Sequence, residues 1–232
     1  MKQLEIYQNI LRSKSPVEII DWCLHEFTES KIALSTSFSI EDQVITHLLV
    51  KTGKKPAFFT VDSGRLFQET FDTMQKTIDQ YNIAIKTYSP DTTDLQRMMS
   101  ENGPNFFYDS LESRKLCCQI RKVEPYQRAL KDFDICISGR RMDQAGSRQD
   151  LKILEWDNKN RLYKLNPLIN WTEAETFQFI NDHKIPFNSL YNRGYRSIGC
   201  APCTRAIGKN DDIRSGRWWW ENPEHKECGI HL

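Results

Sequence analysis

The sequence predicts an α/β fold, a parallel sheet covered by helices on both faces. Three observations carry that expectation. Four short segments, "KIALSTS" (31–37), "PAFFTVD" (56–62), "IAIKTYS" (83–89) and "DICISG" (134–139), are near-continuous apolar runs, as strands buried on both faces must be. Segments of helical period alternate with them, which is the pattern of a parallel sheet. The first, second and fourth runs open into polar or basic loops, "SFSIED", "DSGR" and "GRRMDQ", and an open parallel sheet takes its ligands at those carboxyl ends.

In chain order, "SPVEIIDWCLHEFTES" begins a helix, with Ser15 as N-cap, Pro16 in the first turn and Glu18 closing a capping box. "EDQVITHLLVKTG" reads as a helix ended by Gly53, and "RLFQETFDTMQKTIDQY" as the next one. Another helix near 94–101 precedes a loop with Gly103 and Pro104. "QIRKVEPYQRALKDF" is basic and helical in period, although Pro125 inside it costs a backbone hydrogen bond. "LKILEWDNKNRLYKLNP" is expected to be a hairpin turning across Asn158 to Asn160, and "TEAETFQFINDH" starts with a second capping box, Thr172 with Glu175. From Pro186 onward periodicity fades, yet this stretch holds Trp218, Trp219, Trp220 and three of the seven cysteines, so it is expected to lie across the domain. The division that follows is a helical extension over 1–30, an α/β domain over 31–185 and a C-terminal segment over 186–232, together one structural domain.

At 232 residues the chain can bury a full core without a second domain. Its 32 Lys and Arg against 31 Asp and Glu exclude a polycation built to coat nucleic acid or membrane. Charge is concentrated locally instead: residues 114–148 carry nine basic and four acidic side chains, a candidate anion site. No secretory leader or 18-residue apolar run is visible, so a cytoplasmic protein is expected, where thiols stay reduced. The seven cysteines are then core, metal ligands or catalytic.

Cys117 and Cys118 are adjacent, and Cys200 and Cys203 form "CAPC". Two thiolate pairs can hold zinc or an iron–sulfur cluster. Adjacent side chains diverge, which suits a cluster whose separate irons each take one sulfur better than one small tetrahedral ion. Cys23 and Cys136 fall in a helix and a strand and read as core. The loop "STSFSIED" enters a helix, so its N–H groups and hydroxyls suit an anion; Asp62 and Arg65, then Gly139, Arg140 and Arg141, stand at equivalent strand ends. Near the C-terminus, "KECGIHL" places Cys228 between Lys226 and His231, cations that favour a reactive thiolate.

Seven pieces in order, "SFSIEDQV", "TVDSGRLFQET", "CCQIRKVEP", "SGRRMDQ", "GCAPCTR", "GRWWWE" and "KECGIH", closely resemble the cluster-carrying adenylyl-sulfate (APS) reductases of the sulfonucleotide reductase family over roughly residues 30–232. The resemblance implies an adenine-nucleotide alpha-hydrolase-like fold related to ATP pyrophosphatases, with a C-terminal tail carrying the nucleophile. It implies a [4Fe-4S] cluster on Cys117, Cys118, Cys200 and Cys203, and Cys228 as the nucleophile that attacks the sulfur of adenosine 5'-phosphosulfate, expels AMP and becomes S-sulfocysteine. Reduced thioredoxin, or a glutaredoxin-like donor, then releases sulfite. Ser35, Ser37, Phe38, Asp62, Gly64 and Arg65 are implied to hold the adenosine part, Lys122 to lie between cluster and substrate, and Arg140, Arg141, Arg214, Arg217 and His231 to line the phosphosulfate site. A homo-oligomer is expected, with no nucleic acid or membrane partner.

One residue departs from the family pattern, Ser39, where glycine is common. A side chain there is expected to narrow the approach to the loop's backbone. A tRNA-modifying ATP pyrophosphatase would need a glycine-rich "SGGxDS" loop, and "STSFSIED" has no glycine. A nucleic-acid module, suggested by "RWWWE" and the arginines, is opposed by the balanced charge. A cluster-free reductase of the 3'-phosphorylated substrate (PAPS) has no need of the four paired cysteines.

Overall fold

The computed structural model describes residues 2–144, 148, 150–222 and 229–230. Its elements run α1 (Lys2–Leu11), α2 (Pro16–Glu26), β1 (Ile32–Ser35), α3 (Ile40–Lys51), β2 (Ala57–Val61), α4 (Gln68–Tyr81), β3 (Lys86–Tyr88) and α5 (Thr92–Asn102). There follow α6 (Leu111–Cys118), α7 (Glu124–Leu130), β4 (Ile135–Ile137), β5 (Leu154–Asp157), β6 (Leu162–Leu165) and α8 (Glu173–His183). No described helix is long and apolar enough to cross a membrane.

The strands form one sheet in the order β3-β2-β1-β4-β6-β5. β1 pairs in parallel with β2 and β4, and β4 with β6; the expected hairpin supplies the antiparallel pair β5–β6. The two central strands are sealed at Ile32, Ala33 and Leu34 in β1 and throughout β4 at Ile135, Cys136 and Ile137, which is why these runs show no polar alternation. The chain leaves β1 towards β2 on one side and later returns through β4 on the other. The order therefore reverses between β1 and β4, where a doubly wound sheet opens its ligand crevice.

The chain divides into two compact units, each drawn from three segments. The first comprises Met1–Phe59, Glu69–Lys86 and Asp132–Ser189. It contains β1, β4, β5, β6 and α3, and both capping boxes form as the sequence requires: Ser15 with Glu18 on α2, and Thr172 with Glu175 on α8. Ser39 is the N-cap of α3, its Oγ accepting from the Asp42 N–H at 3.3 Å. The side chain that departs from the family pattern thus caps the helix.

The second unit comprises Thr60–Gln68, Thr87–Lys131 and Leu190–Leu232. Here the basic helical stretch is split. After Cys118 the helix widens into a π turn over Gln119–Val123 and resumes as α7, with Pro125 in its first turn. In the first turn of a helix the backbone N–H has no intrahelical partner, so proline there forfeits none, which removes the conflict seen in the sequence. A buried cluster of Met98, Phe106, Phe107, Cys117, Cys200, Cys203 and Trp218 forms its centre, so Cys200, Cys203 and Trp218 of the C-terminal segment are packed within this unit.

Candidate active site

In the first unit the loop after β1 and the loop after β4 flank the switch point. The chain turns sharply after Ser35: Phe38, buried, takes a left-handed backbone with φ 61°, and its N–H donates to Thr36 Oγ1 at 3.1 Å. Asp42, in the first turn of α3, gathers both loops. Its Oδ2 accepts from the Ser37 N–H at 2.7 Å and the Ser37 hydroxyl at 2.8 Å, and its Oδ1 accepts from the Gly139 N–H at 3.2 Å. Burial pushes this carboxyl up to about 6, against hydrogen bonds from Ser37 that pull it down and the Glu41 charge that adds to the rise.

Arg140 and Arg141 follow in the loop after β4, and their guanidinium groups are committed within the unit. Arg140 donates to Asn166 Oδ1 at 3.2 Å and to Glu155. Arg141, 1% exposed, donates to Glu41 Oε1 at 2.8 Å, Asp143 Oδ2 at 3.0 Å and the Trp171 carbonyl at 3.1 Å. The resemblance implies that both meet the phosphosulfate; in this structure their hydrogen bonds also brace the loop that carries them.

In the second unit one pocket brings together all four paired cysteines, Cys117, Cys118, Cys200 and Cys203, with Arg65, Arg114, Arg121 and Lys122. The π turn matters here, since it begins directly after Cys118 and holds Arg121 and Lys122 at the same pocket. Sulfur and cation are tuned against each other. Burial would push the Cys200 thiol up, but Lys122, a hydrogen bond from Ser63 and the charge of Arg217 outweigh it and leave it lowered. Ser63 Oγ lies 3.1 Å from Cys200 Sγ. Burial raises Cys117, with Arg121 opposing, and pushes Cys203 up to about 12, helped by the charges of Cys200 and Cys118.

The pocket is braced from behind. Arg121 donates to the Ser63 carbonyl at 2.7 Å, and Arg114 makes a bidentate pair with Glu221 at 2.9 and 2.8 Å while lying over the Trp218 ring. Arg217 covers the other contact to Trp218, with its guanidinium carbon 4.6 Å from the ring centroid, and a Cβ on Gly199 would run into that guanidinium. Arg65 lies over Phe107 at 5.3 Å and donates to Asn105 Oδ1 at 3.2 Å and to the Pro104 carbonyl. Asp62 closes a tight turn by accepting from the Gly64 N–H at 2.8 Å, with Gly64 at φ 69°.

Several sequence expectations are thereby located. Ser35, Ser37, Phe38, Arg140 and Arg141 belong to the first unit; Asp62, Gly64, Arg65, Lys122, Arg214, Arg217 and the four cysteines belong to the second. Cys228 and His231 lie outside the described residues. Sequence reading did not single out Asp42, Glu41, Ser63 or Arg121 for roles at the sites. Each stood inside a quoted motif, but burial and a specific partner gave it importance, and neither is visible in one dimension.

The donor set suits a sulfur-bridged cluster. Among the described residues no group of three or more His, Cys, Asp or Glu side chains stands ready for a single metal ion. Four thiols do line one pocket, and three buried N–H donors, Arg217 Nε, Trp218 Nε1 and Trp220 Nε1, have no acceptor among the described residues. Trp218 belongs to the same buried cluster as Cys117, Cys200 and Cys203, and Trp220 packs against it. A group rich in anionic sulfur offers what such donors need.

Comparison with known proteins places this arrangement in context. The model of the phosphoadenosine phosphosulfate reductase domain matches residues 31–206. Adenosine 5'-phosphosulfate reductase of Allochromatium vinosum is 41% identical over 95% of this chain and 85% of its own. The crystal structure of phosphoadenylyl-sulfate reductase from Candida auris superposes with a TM-score of 0.76 at 26% identity, covering 89% of this chain and 97% of that one. FMN adenylyltransferase of Candida glabrata, at 16% identity and a TM-score of 0.58 over 97% of this chain and 85% of its own, shares the fold alone.

Proposed function

This chain belongs to the phosphoadenosine phosphosulfate reductase domain family, and from that premise we propose that it reduces adenosine 5'-phosphosulfate to sulfite and AMP in sulfate assimilation, through Cys228 and with a [4Fe-4S] cluster on Cys117, Cys118, Cys200 and Cys203. The observation that carries the reading is the pocket that gathers the four paired cysteines among Arg65, Arg121 and Lys122. Curated relatives at about 40% identity bear the name of the same reaction.

The chemistry follows from the charges. A thiolate meets repulsion from the phosphosulfate unless cations screen it, so Lys122, Arg214, Arg217 and His231 serve to lower that barrier. Arg140 and Arg141 enter through the loop they brace. Cys228 Sγ forms a bond to the sulfonate sulfur as the S–O bond breaks, and AMP leaves with the electron pair. A reduced dithiol protein of the thioredoxin class attacks Sγ of the S-sulfocysteine, and sulfite leaves with its pair. The donor's second thiol releases Cys228 and closes a disulfide, which balances the two electrons. A cluster, held by Cys117, Cys118, Cys200 and Cys203, would supply fixed charge beside Lys122. Ser35, Ser37, Phe38, Asp62, Gly64 and Arg65 take the adenosine part in this reading.

The test is an anaerobic assay with reduced thioredoxin that compares APS with PAPS for sulfite release, with an absorption spectrum of the same sample. Brown protein that makes sulfite from APS is expected. The Cys228→Ser variant should fold and stay brown while making no sulfite, and normal turnover in it would remove the mechanism. A colourless protein inert to both substrates would overturn the reading.

A further inference from the structure

We infer that Asp42 is a positioning residue that ties the two lips of the nucleotide crevice to each other, so that affinity for the nucleotide depends on its ionised carboxylate. The inference rests on the proposed nucleotide-binding function and adds to it a residue that does not itself touch the ligand.

The topology supplies the first argument. The sheet order reverses between β1 and β4, so the crevice of this sheet is bounded by the loops after those two strands. Asp42 is bonded to both. One carboxylate oxygen takes the N–H and hydroxyl of Ser37 from the loop after β1, and the other takes the N–H of Gly139 from the loop after β4. Residues 37 and 139 are remote in sequence, and this one side chain joins their backbones.

The second argument is chemical. Both oxygens accept a backbone N–H, so only a carboxylate satisfies the pair. Asparagine would turn an N–H donor towards one of them, and the approach is close, since a Cβ on Gly139 would stand 2.5 Å from Asp42 Oδ1, 2.7 Å from Glu41 Cβ and 3.0 Å from the Asp42 N. The missing side chain at Gly139 is what lets the two lips meet on one carboxylate.

The third argument is the state of that carboxylate. It is buried, 4% exposed, and pushed up to about 6. Around it stand Glu41 and the Ser39 hydroxyl on or beside α3, Ser37 from the loop after β1, and Gly139 from the loop after β4, with the nearby Arg141 guanidinium engaged by Glu41. A carboxylate kept ionised at neutral pH against its own burial opposes stability, and such costs concentrate where function requires them. Protonation puts a hydrogen on one oxygen and removes one of the two ties.

The experiment measures AMP binding calorimetrically from pH 5.5 to 7.5 for the wild-type holoprotein and the Asp42→Asn variant. Because both meet the same ligand, the phosphate's own titration cancels in the ratio of their affinities. We expect Asp42→Asn to bind AMP about tenfold or more weakly at pH 7.5, since only the fraction with both lips in place is competent. Its cluster absorbance should be unchanged, and the two affinities should converge as pH falls through 6. Equal affinities with a constant ratio across the range would overturn the inference alone. A wild type that binds no AMP would overturn it together with the functional reading. A readout that needs no variant is hydrogen exchange in the wild type: the Ser37 and Gly139 amides should lose protection together below pH 6, and protection held at pH 5.5 would sink the proposal even if Asp42→Asn does not fold.

Discussion

Replacing Glu41 with Gln leaves the Arg141 guanidinium sealed in the first unit without its buried counter-charge. The two side chains are 2% and 3% exposed and 2.8 Å apart, and Arg141 retains Asp143 at 3.0 Å, itself 48% exposed. Losing one partner of a buried pair costs about 3–5 kcal/mol, and the solvated Asp143 places this case near the lower end, about 3 kcal/mol. For a chain of this length that corresponds to a fall in Tm of about 6–12 °C. Urea unfolding followed by tryptophan fluorescence reads the effect, with Trp22, Trp156 and Trp171 reporting from the same unit. The midpoint should fall with the slope unchanged. The companion variant, Glu41→Leu with Arg141→Met, should regain most of the loss, because apolar replacement of both partners removes the uncompensated charge. A loss under about 1 kcal/mol for Glu41→Gln would refute the assignment of Arg141 as a brace. A stable double variant that no longer binds AMP would return Arg141 to the substrate.

Two further outcomes are expected. His47 donates to or accepts from Tyr81 at 3.1 Å and faces the His183 ring at 5.0 Å; its pKa lies below the ordinary 6.5, first through burial and then through His183 and Lys51. The fold then binds fewer protons than the unfolded chain, so this contribution is complete above about pH 6.5 and is lost as pH falls through the lower folded value. His47→Gln should flatten the stability profile between pH 5 and 7, and a slope equal to wild type would reject the assignment. Cys203→Ser should lose the brown absorbance and most sulfite production, as shown by iron analysis beside the assay; a fully active, colourless variant would leave the cysteine pocket a structural feature.

Much of the fold is legible in one dimension because its causes are local. The apolar runs of β1 and β4 report burial on both faces, and the capping boxes at Ser15 and Thr172 report helix starts through contacts only three residues apart. The paired cysteines were equally plain, since adjacency and the "CAPC" spacing are themselves sequence. The π turn after Cys118 was not. It holds Arg121 and Lys122 at the cysteine pocket, and Pro125 looked like a fault until the helix restarted before it.

The sequence by itself determined the parallel sheet, the polar loops at its strand ends and the identity of the four pocket thiols. Tertiary structure alone decided what the charged residues of those loops do. Glu41 and Asp42 read as the start of a helix and Arg141 as part of a basic loop, and only the fold gave them partners about a hundred positions away, Glu41 with Arg141 and Asp42 with Gly139. A charge in water has many equivalent partners. Buried, it must take the one the fold provides, and the fold is not written within any single motif.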